Sequence, residues 1–357
     1  MENLETVQQI GPLRIAVIAF ELITPNQRTG GVSHFNHRLC TKLSDAGHDV
    51  TAVTMNTSLD GINYRVISLF KDKNLNNRFN RFYWAPLRAR KIDFSSYDLV
   101  ISSGDDWAMI RRGKTWVRIM HGSAFREVQH NKKLLRKMNL SLQYLFELIS
   151  FGKSSVTLFN SKDTGKFYFS RKQDKVVYLP VDNQLFHPGE KESDPTILFV
   201  GALDNRKRGR WLRELYVSSI KKRVPNAKLW MVCNPDEPME GVTYFQHVSN
   251  EELASLYRKA HVYCMPSTYE GFGLPYLEAL ASGTLVVSTP NPGANEVLND
   301  GQFGILVKDE QLADTLSDVL LRVDEHDDLI NKGLGWASSH SWENVTAKYL
   351  SYIHTKS

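Results

Sequence analysis

Cysteine is scarce in this sequence: Cys40, Cys233 and Cys264 are the only three among 357 residues. They are odd in number and have neither a CxxC pair nor a histidine at metal-ligand spacing. That excludes a disulfide framework and a zinc module and leaves reduced, structural thiols; the sequons at Asn56, Asn139 and Asn344 then carry no meaning. Long apolar runs are also missing, none reaching the roughly 18 to 20 residues that a membrane-spanning helix needs. The opening "MENLETVQQIGPLRIAVIAF" has no basic region ahead of a long apolar one, and its run at 15–20 is the length of a buried strand, so a cytoplasmic protein is expected. Charge of one sign is not dominant. A net charge of +5 with pI near 8.9 favours anionic ligands or a membrane surface and does not require nucleic acid. No internal repeat of fixed period occurs, which excludes solenoids and propellers.

What is present is the composition of a soluble globular protein, 42% hydrophobic and 23% charged, long enough for about two domains with substantial cores. Strand-like runs alternate with helical patterns, the arrangement of parallel α/β layers. In the first half the runs fall at 14–20, 49–54, 98–102, 116–120 and 155–159. Val32, Phe35, Leu39 and Leu43 recur at three- to four-residue intervals and Gly47 follows, which predicts a helix from Val32 to Ala46. The rhythm breaks at "YLPVDNQLFHPGEKESDP", proline-rich and acidic with no helical period, where an interdomain linker is expected. A second series follows, with strands at 196–200, 228–232, 242–245, 262–265 and 285–288 and helices near 211–223, 250–259, 275–282 and 309–323. The expected architecture is two doubly wound, Rossmann-like domains, 13–180 and 181–340, behind a tail of residues 1–12. Ligands of such folds gather at the carboxyl ends of strands, here in an interdomain cleft.

The segment "YEGFGLPYLEAL" (269–280) sets Glu270 and Glu278 on either side of a glycine turn. Pro275 suits the first turn of a helix, where a missing N–H costs nothing. Gly271 and Gly273 leave backbone amides bare just ahead of it, and the helix dipole favours a diphosphate there. Two carboxylates flanking a phosphate-sized site can each accept hydrogen bonds from hydroxyls, as a nucleoside diphosphate sugar would offer; a capped turn with two solvated glutamates fits the spacing equally well. Gly30 and Gly31 offer bare amides at the start of the first helix. Their spacing is not GxGxxG, so they are not a dinucleotide fingerprint, and ordinary turn glycines are the alternative. His121 follows the apolar run "TWVRIM" at a strand's carboxyl end, where a structural histidine is the competing reading.

These residues carry a resemblance. "PSTYEGFGLPYLEALASGTLVV" resembles the glutamate–seven–glutamate segment of retaining glycosyltransferases of family 4, which have the GT-B fold. "TGGVSHFNHRLCTKLSDAGHDVTAVT" is similar to that family's first glycine loop and helix, "LPVDNQLFHP" to its interdomain strand and turn, and "ILFVGALDNRKRG" to its phosphate-binding loop. "VSNEELASLYRKAHVYCMPS" matches too, and "HSWENVTAKYLSYI" resembles the final helix that crosses back to the first domain, here within 341–357. The resemblance implies that Glu270 binds the transferred sugar with the amides of Phe272, Gly273 and Leu274, that Glu278 holds the ribose, and that Lys207 neutralises the pyrophosphate. It implies that His121 touches the donor sugar near the reacting carbon, and that Gly30 and Gly31 line the cleft near phosphate and acceptor. One departure is plain: Ala202 stands where the family usually has an arginine, so Arg206 or Arg208 is expected to supply that cation; a solvated basic loop is the plain reading of "RKRGR".

Three further segments invite a role. Glu296 falls where relatives often have a glutamate, and a helix-start carboxylate accounts for it as well. Asp105, Asp106 and Trp107 follow a strand; Asp106 is a candidate for acceptor hydroxyls, with a helix cap as the alternative. "FKDKNLNNRFNRFYWAPLRARK" and "HNKKLLRKMNLSLQYLFELISFGK" interleave basic, aromatic and aliphatic residues and suit peripheral contact with the inner membrane surface, against the simpler reading of helices packed on the sheet by their Leu and Phe face. The implied function is a retaining hexosyltransferase from a nucleoside diphosphate sugar to the hydroxyl of a glycan, glycolipid or small-molecule acceptor, in polysaccharide, lipopolysaccharide or glycolipid assembly. No cofactor or metal is expected, because the second-half site lacks a clustered Asp-x-Asp and helix amides with Lys207 can offset phosphate charge. The alternatives are a GT-B nucleotide-sugar epimerase, a phosphorylase, for which no pyridoxal-bearing lysine stands out, and a non-catalytic sugar-nucleotide-binding protein, which Ala202 keeps open.

Overall fold

A computed structural model of the chain describes residues 11–23, 31–55, 61–70, 77, 79–104, 106–110, 115–130 and 133–352. It divides into two compact units, Met1–Val177 with Glu343–Ser357, and Tyr178–Trp342. Gly30 and Asp105 lie outside the described residues.

The first unit contains β1 (Arg14–Ile18), α1 (Gly31–Asp45), β2 (Asp49–Thr54), β3 (Arg65–Ser68), a π-helical turn at Asn80–Trp84 running into α2 (Ala85–Ala89), β4 (Leu99–Ser102), β5 (Thr115–Met120), α3 (Ala124–His130), α4 (Leu134–Lys153), β6 (Val156–Phe159), α5 (Lys162–Gly165) and β7 (Lys175–Val176). Its strands form one parallel sheet in the order β3-β2-β1-β4-β5-β6-β7. Ile15 to Ile18 and Leu99 to Ile101 are buried, as parallel strands covered on both faces must be, which is why they read as unbroken apolar runs. The last helix, labelled α13 below, contributes to this unit: Tyr349 packs edge-on to Phe35 at 6.5 Å and Glu343 pairs with Lys42 at 2.9 Å.

The second unit contains β8 (Thr196–Val200), α6 (Gly209–Leu215), a π-helical turn at Tyr216–Ile220 running into α7 (Lys221–Arg223), β9 (Lys228–Val232), β10 (Val242–Phe245), α8 (Asn250–Lys259), β11 (Val262–Cys264), α9 (Leu274–Ala281), β12 (Leu285–Ser288), α10 (Pro292–Val297), β13 (Ile305–Leu306), α11 (Leu312–Leu321) and α12 (Asp327–Ser338), after which α13 (Trp342–Ser351) leaves it. Its parallel sheet has the order β10-β9-β8-β11-β12-β13. Ser249 and Glu252 start α8 with a reciprocal capping box.

Both sheets are doubly wound, so strand order reverses beside β1 in the first unit and beside β8 in the second. Adjacent connections there run to opposite faces of the sheet and leave a crevice at the strands' carboxyl ends. The boundary between units falls at 177/178 rather than 180/181 because Tyr178 stacks on Phe272 at 5.4 Å and Val181 donates its N–H to His340 O at 2.9 Å, tying the expected linker to the second unit. Among the described residues no helix is long and apolar enough to cross a membrane.

Candidate active site

In the second unit, β8 and β11 are neighbours, so the loops that follow them emerge side by side at the reversal point. Asn205 shapes the first loop, accepting the Lys207 N–H on its side chain at 2.8 Å, a local Asx turn. The loops are joined by Thr268 N–H donating to Arg206 O at 2.8 Å and by Arg206 Nε donating to Tyr269 O at 2.9 Å. Arg206 also reaches Glu270, Nη2 to Oε2 at 2.9 Å, while Ser267 Oγ lies 3.1 Å from Oε1. Glu270 is thus buried with both carboxylate oxygens partnered.

Gly273 turns the chain into α9 with φ of 90°. A Cβ at this position would lie 2.5 Å from the Tyr276 ring, so the turn requires glycine on both conformational and steric grounds. No side chain caps α9; Pro275 has no N–H and the Tyr276 N–H donates to Gly273 O at 2.9 Å, so the Leu274 N–H is the first-turn donor left at the helix mouth for an anion. Gly293 of α10 closes the back of the same loop. Its N–H donates to Glu270 O at 2.9 Å, and a Cβ there would lie 2.6 Å from Phe272 O.

Lys207 folds back beside Gly201, donating from Nζ to Val200 O at 3.0 Å. Burial lowers its pKa; the charges of Glu270 and Glu278 oppose that shift and Arg206 adds to it. The ammonium therefore stands in the field of both glutamates, and Glu278 sits half-buried on α9. The two arginines flanking Lys207 differ. Arg208 is consumed by the fold: it adopts φ of 55°, forks onto Asp309 at 2.6 and 2.8 Å, reaches Pro266 O and Thr289 Oγ1, and covers the Trp211 ring at 4.2 Å. Arg206 keeps a half-exposed guanidinium.

In the first unit His121 stands at the end of β5 in a cavity of about 240 Å³. Asn36 donates from Nδ2 to Glu21 O at 3.0 Å, which leaves its Oδ1 to accept the Ser103 hydroxyl; Ser103 Oγ then accepts from His121 Nε2 at 2.7 Å. This chain fixes the proton on Nε2 and leaves Nδ1 as an acceptor. Burial, then Arg81 and Arg118, push the imidazole pKa down to about 4, so the ring is neutral at pH 7.

Two expectations are corrected. Asp106 has no exposed surface; its carboxylate holds Arg118 at 2.8 Å and Trp116 Nε1, a buried ion pair withdrawn from any acceptor hydroxyl. Glu296 is the fifth of six residues in α10, not a helix-start carboxylate, and its charge and hydrogen bond raise the pKa of the Tyr178 hydroxyl further after burial. Gly31 opens α1 at an exposed position, and a Cβ there would meet nothing within 4 Å. Ser267, Gly293 and Tyr178 escaped sequence reasoning. Only Gly293, beside a proline at a helix start, carried a readable signal.

Residues 29–184 match the family model Glycosyltransferase Family 4, and residues 194–323 match Glycosyl transferases group 1. The two matches are both to glycosyltransferase families, and together they cover most of each unit. Among curated relatives, the MMP alpha-(1->4)-mannosyltransferase of Mycolicibacterium hassiacum is 35% identical over 171 residues, 44% of this chain and 41% of the relative. The phosphatidyl-myo-inositol mannosyltransferase of Mycobacterium tuberculosis is 26% identical over 63% of this chain and 61% of its own length. The chain thus spans about half the length of the curated relatives it matches. Among solved structures, the sucrose-phosphate synthase of Thermosynechococcus elongatus superposes with a TM-score of 0.77 at 18% identity, covering 95% of this chain and 98% of that one. The fold is GT-B, two Rossmann-like α/β units.

Proposed function

We propose that the protein is a retaining, metal-independent glycosyltransferase that moves a hexose from a nucleoside diphosphate sugar to an acceptor hydroxyl, in the assembly of a polysaccharide, lipopolysaccharide or glycolipid. The observation that carries this reading is the joining of the basic loop to the glutamate turn, Arg206 bonding Tyr269 O and the buried Glu270 at 2.9 Å each, ahead of α9, whose start no side chain caps. The relatives, whose names denote mannosyl transfer, support it.

In this reading the diphosphate lies on the N–H groups of Phe272, Gly273 and Leu274, with Lys207 against its charge. Arg206 supplies the second cation in place of the family's arginine at Ala202. Arg208 is already committed to Asp309 and Thr289, whereas Arg206 can exchange its carboxylate for phosphate. Glu278 accepts from ribose hydroxyls, and Glu270, once released by Arg206, from the hydroxyls of the transferred sugar. The bond from the anomeric carbon to the diphosphate oxygen breaks with its electron pair going to oxygen. The acceptor hydroxyl bonds to the same face of that carbon and passes its proton to the departing phosphate. Fixed donors aimed at the oxygen that gains charge stabilise the transition state more than the bound donor, which is the condition for rate enhancement. In the first unit, His121 Nδ1 offers a neutral acceptor to a substrate hydroxyl, and the Gly31 amide is assigned to the donor-phosphate side.

Incubation with labelled uridine and guanosine diphosphate sugars tests the proposal. Release of nucleoside diphosphate beyond one equivalent is expected, and saturable binding without release would instead favour a sugar-nucleotide-binding protein. Glu278→Ala should weaken nucleotide binding by about tenfold or more, the worth of one charge-assisted hydrogen bond; unchanged affinity would remove the assignment. Turnover is expected to survive chelation of divalent ions, and a loss restored by magnesium would overturn metal independence.

A further inference from the structure

The glycine turn ahead of α9 is held by more than its own conformation. Phe272, within that turn, is buried, and its ring and its carbonyl are held by different elements. The carbonyl lies against α10, where a Cβ on Gly293 would fall 2.6 Å from Phe272 O. The ring lies against Tyr178, the first residue of the second unit, with centroids 5.4 Å apart and planes 25° from parallel. An offset stack of this kind is a favoured arrangement of two aromatic rings.

Tyr178 is itself fixed. Trp336 of α12 meets its ring edge-on at 5.9 Å, and the His340 ring lies 5.7 Å away. These two are anchored in turn: Trp336 stacks on Phe303 at 5.1 Å, and His340 Nδ1 donates to Trp336 O at 2.8 Å. Three residues beyond Tyr178, the Val181 N–H donates to His340 O at 2.9 Å and sets the backbone register. The Tyr178 hydroxyl donates to Glu296 of α10, the helix that also carries Gly293. Glu296 and Gly293 are three residues apart and so share one side of that helix. The contacts thus close around a single peptide: ring of Phe272 to Tyr178, hydroxyl of Tyr178 to Glu296, and α10 back to the Phe272 carbonyl. Filling the space beside Phe272 needs only bulk, whereas meeting Phe272 and Glu296 together needs a ring with a hydroxyl at its far end.

We propose that Tyr178 is a positioning residue for the transfer, holding the Phe272 peptide so that its N–H is aimed at the diphosphate oxygen that gains charge. Among the described residues no protein group accepts that N–H, so fixing the peptide also aims a donor that is available. The assignment rests on the transferase reading above, and Tyr178 acts through Phe272 rather than on substrate. A donor already in place needs no rearrangement as the bond to the anomeric carbon breaks. Loosening it therefore raises the transition state more than the bound donor, and kcat falls further than affinity.

Variants of the full chain test this by nucleoside diphosphate release from uridine and guanosine diphosphate sugars, by calorimetric binding of uridine and guanosine diphosphate, and by melting temperature. Tyr178→Leu keeps bulk but loses the stack and the hydroxyl; kcat is expected to fall about tenfold and diphosphate affinity about threefold. Tyr178→Phe keeps the stack and gives up only the bond to Glu296, and should stay within about threefold of the parent in kcat. Phe272→Leu removes the same stack from its other partner, so it should reproduce the Tyr178→Leu pattern and add little to it in the double variant; it also reports on the stack if Tyr178→Leu does not fold. A merely structural role has a different signature, a lower melting temperature with kcat per folded molecule and affinity at the parent's values. That signature, a Tyr178→Phe variant as impaired as Tyr178→Leu, or full additivity in the double variant would each overturn the proposal. If the parent binds the diphosphates but releases none from the sugar donors, the transferase reading falls; an affinity loss in Tyr178→Leu then still supports the positioning, and parent-like affinity overturns it. A parent that binds neither diphosphate overturns both.

Discussion

Burial beside Arg81 and Arg118 holds His121 near a pKa of about 4, whereas an unfolded histidine titrates near 6.5. Between those values the unfolded chain binds a proton that the folded chain excludes, so stability rises with pH across the window and is lost as pH falls through it. At about 1.4 kcal/mol per pH unit the full window is worth roughly 3–4 kcal/mol. His121→Gln should flatten the pH dependence of the urea midpoint between pH 4 and 6.5 by that amount; curves parallel to the parent's would refute the burial account. Arg206 and Arg208 form a second contrast, two residues apart in sequence and opposite in use. Arg208→Ala strips Asp309 and Thr289 of a partner and should cost about 1–3 kcal/mol of stability, read in chemical denaturation. Arg206→Ala removes a half-exposed guanidinium from the buried Glu270 carboxylate and should lower the midpoint less than Arg208→Ala while raising the donor KM. A reversed pattern would exchange their roles. From "NRKRG" the two arginines were equal candidates; Asp309, about a hundred positions away, distinguishes them, and no local spacing could have announced it.

Elements buried on both faces were the easiest to read. The strands at 196–200, 228–232 and 285–288 sit where their apolar runs place them, because a parallel sheet covered by helices demands continuous hydrophobicity; the partly buried edge strand at 242–245 also sits where its run places it. The edge strand Arg65–Ser68 and the two-residue β7 and β13 were not legible, since edges are short and partly solvated. The helix expected over 211–223 carries an interposed π turn, whose Tyr216 donates its hydroxyl to Ala227 O at 2.6 Å, a contact invisible in periodicity. α4 misled in the other direction: its leucines suggested a face for the sheet, and the sheet took Leu140 and Phe151 instead. The mouth of α9 was legible because Gly273 and Pro275 are conformational requirements, whereas Gly293 and Ser267 reach it only through tertiary packing. Gly273→Ala combines left-handed strain with a ring clash and should cost about 2–3 kcal/mol. Its unfolding midpoint should drop accordingly and nucleotide affinity should fall with it; a stable variant with intact affinity would contradict the geometry of the turn.

At the scale of the molecule, a nucleotide sugar that binds only the folded state raises the melting temperature with the logarithm of its saturation. Uridine and guanosine sugars compared side by side should therefore separate, and equal shifts for both would argue against a base-selective donor site. Tyr349 is fully buried against Phe35 in the first unit. Tyr349→Ala should cost about 3–5 kcal/mol, the range for deleting a buried aromatic ring, seen as an earlier unfolding transition. That residue belongs to a segment far removed in sequence from the rest of its unit: the chain leaves the first unit at Val177 and returns only at Glu343. During synthesis the intervening stretch emerges whole before its host is finished. The second unit therefore has every residue it requires while the ribosome still holds the segment that completes the first, and a nascent chain stalled near position 340 would expose the apolar bed of Phe35 to chaperones.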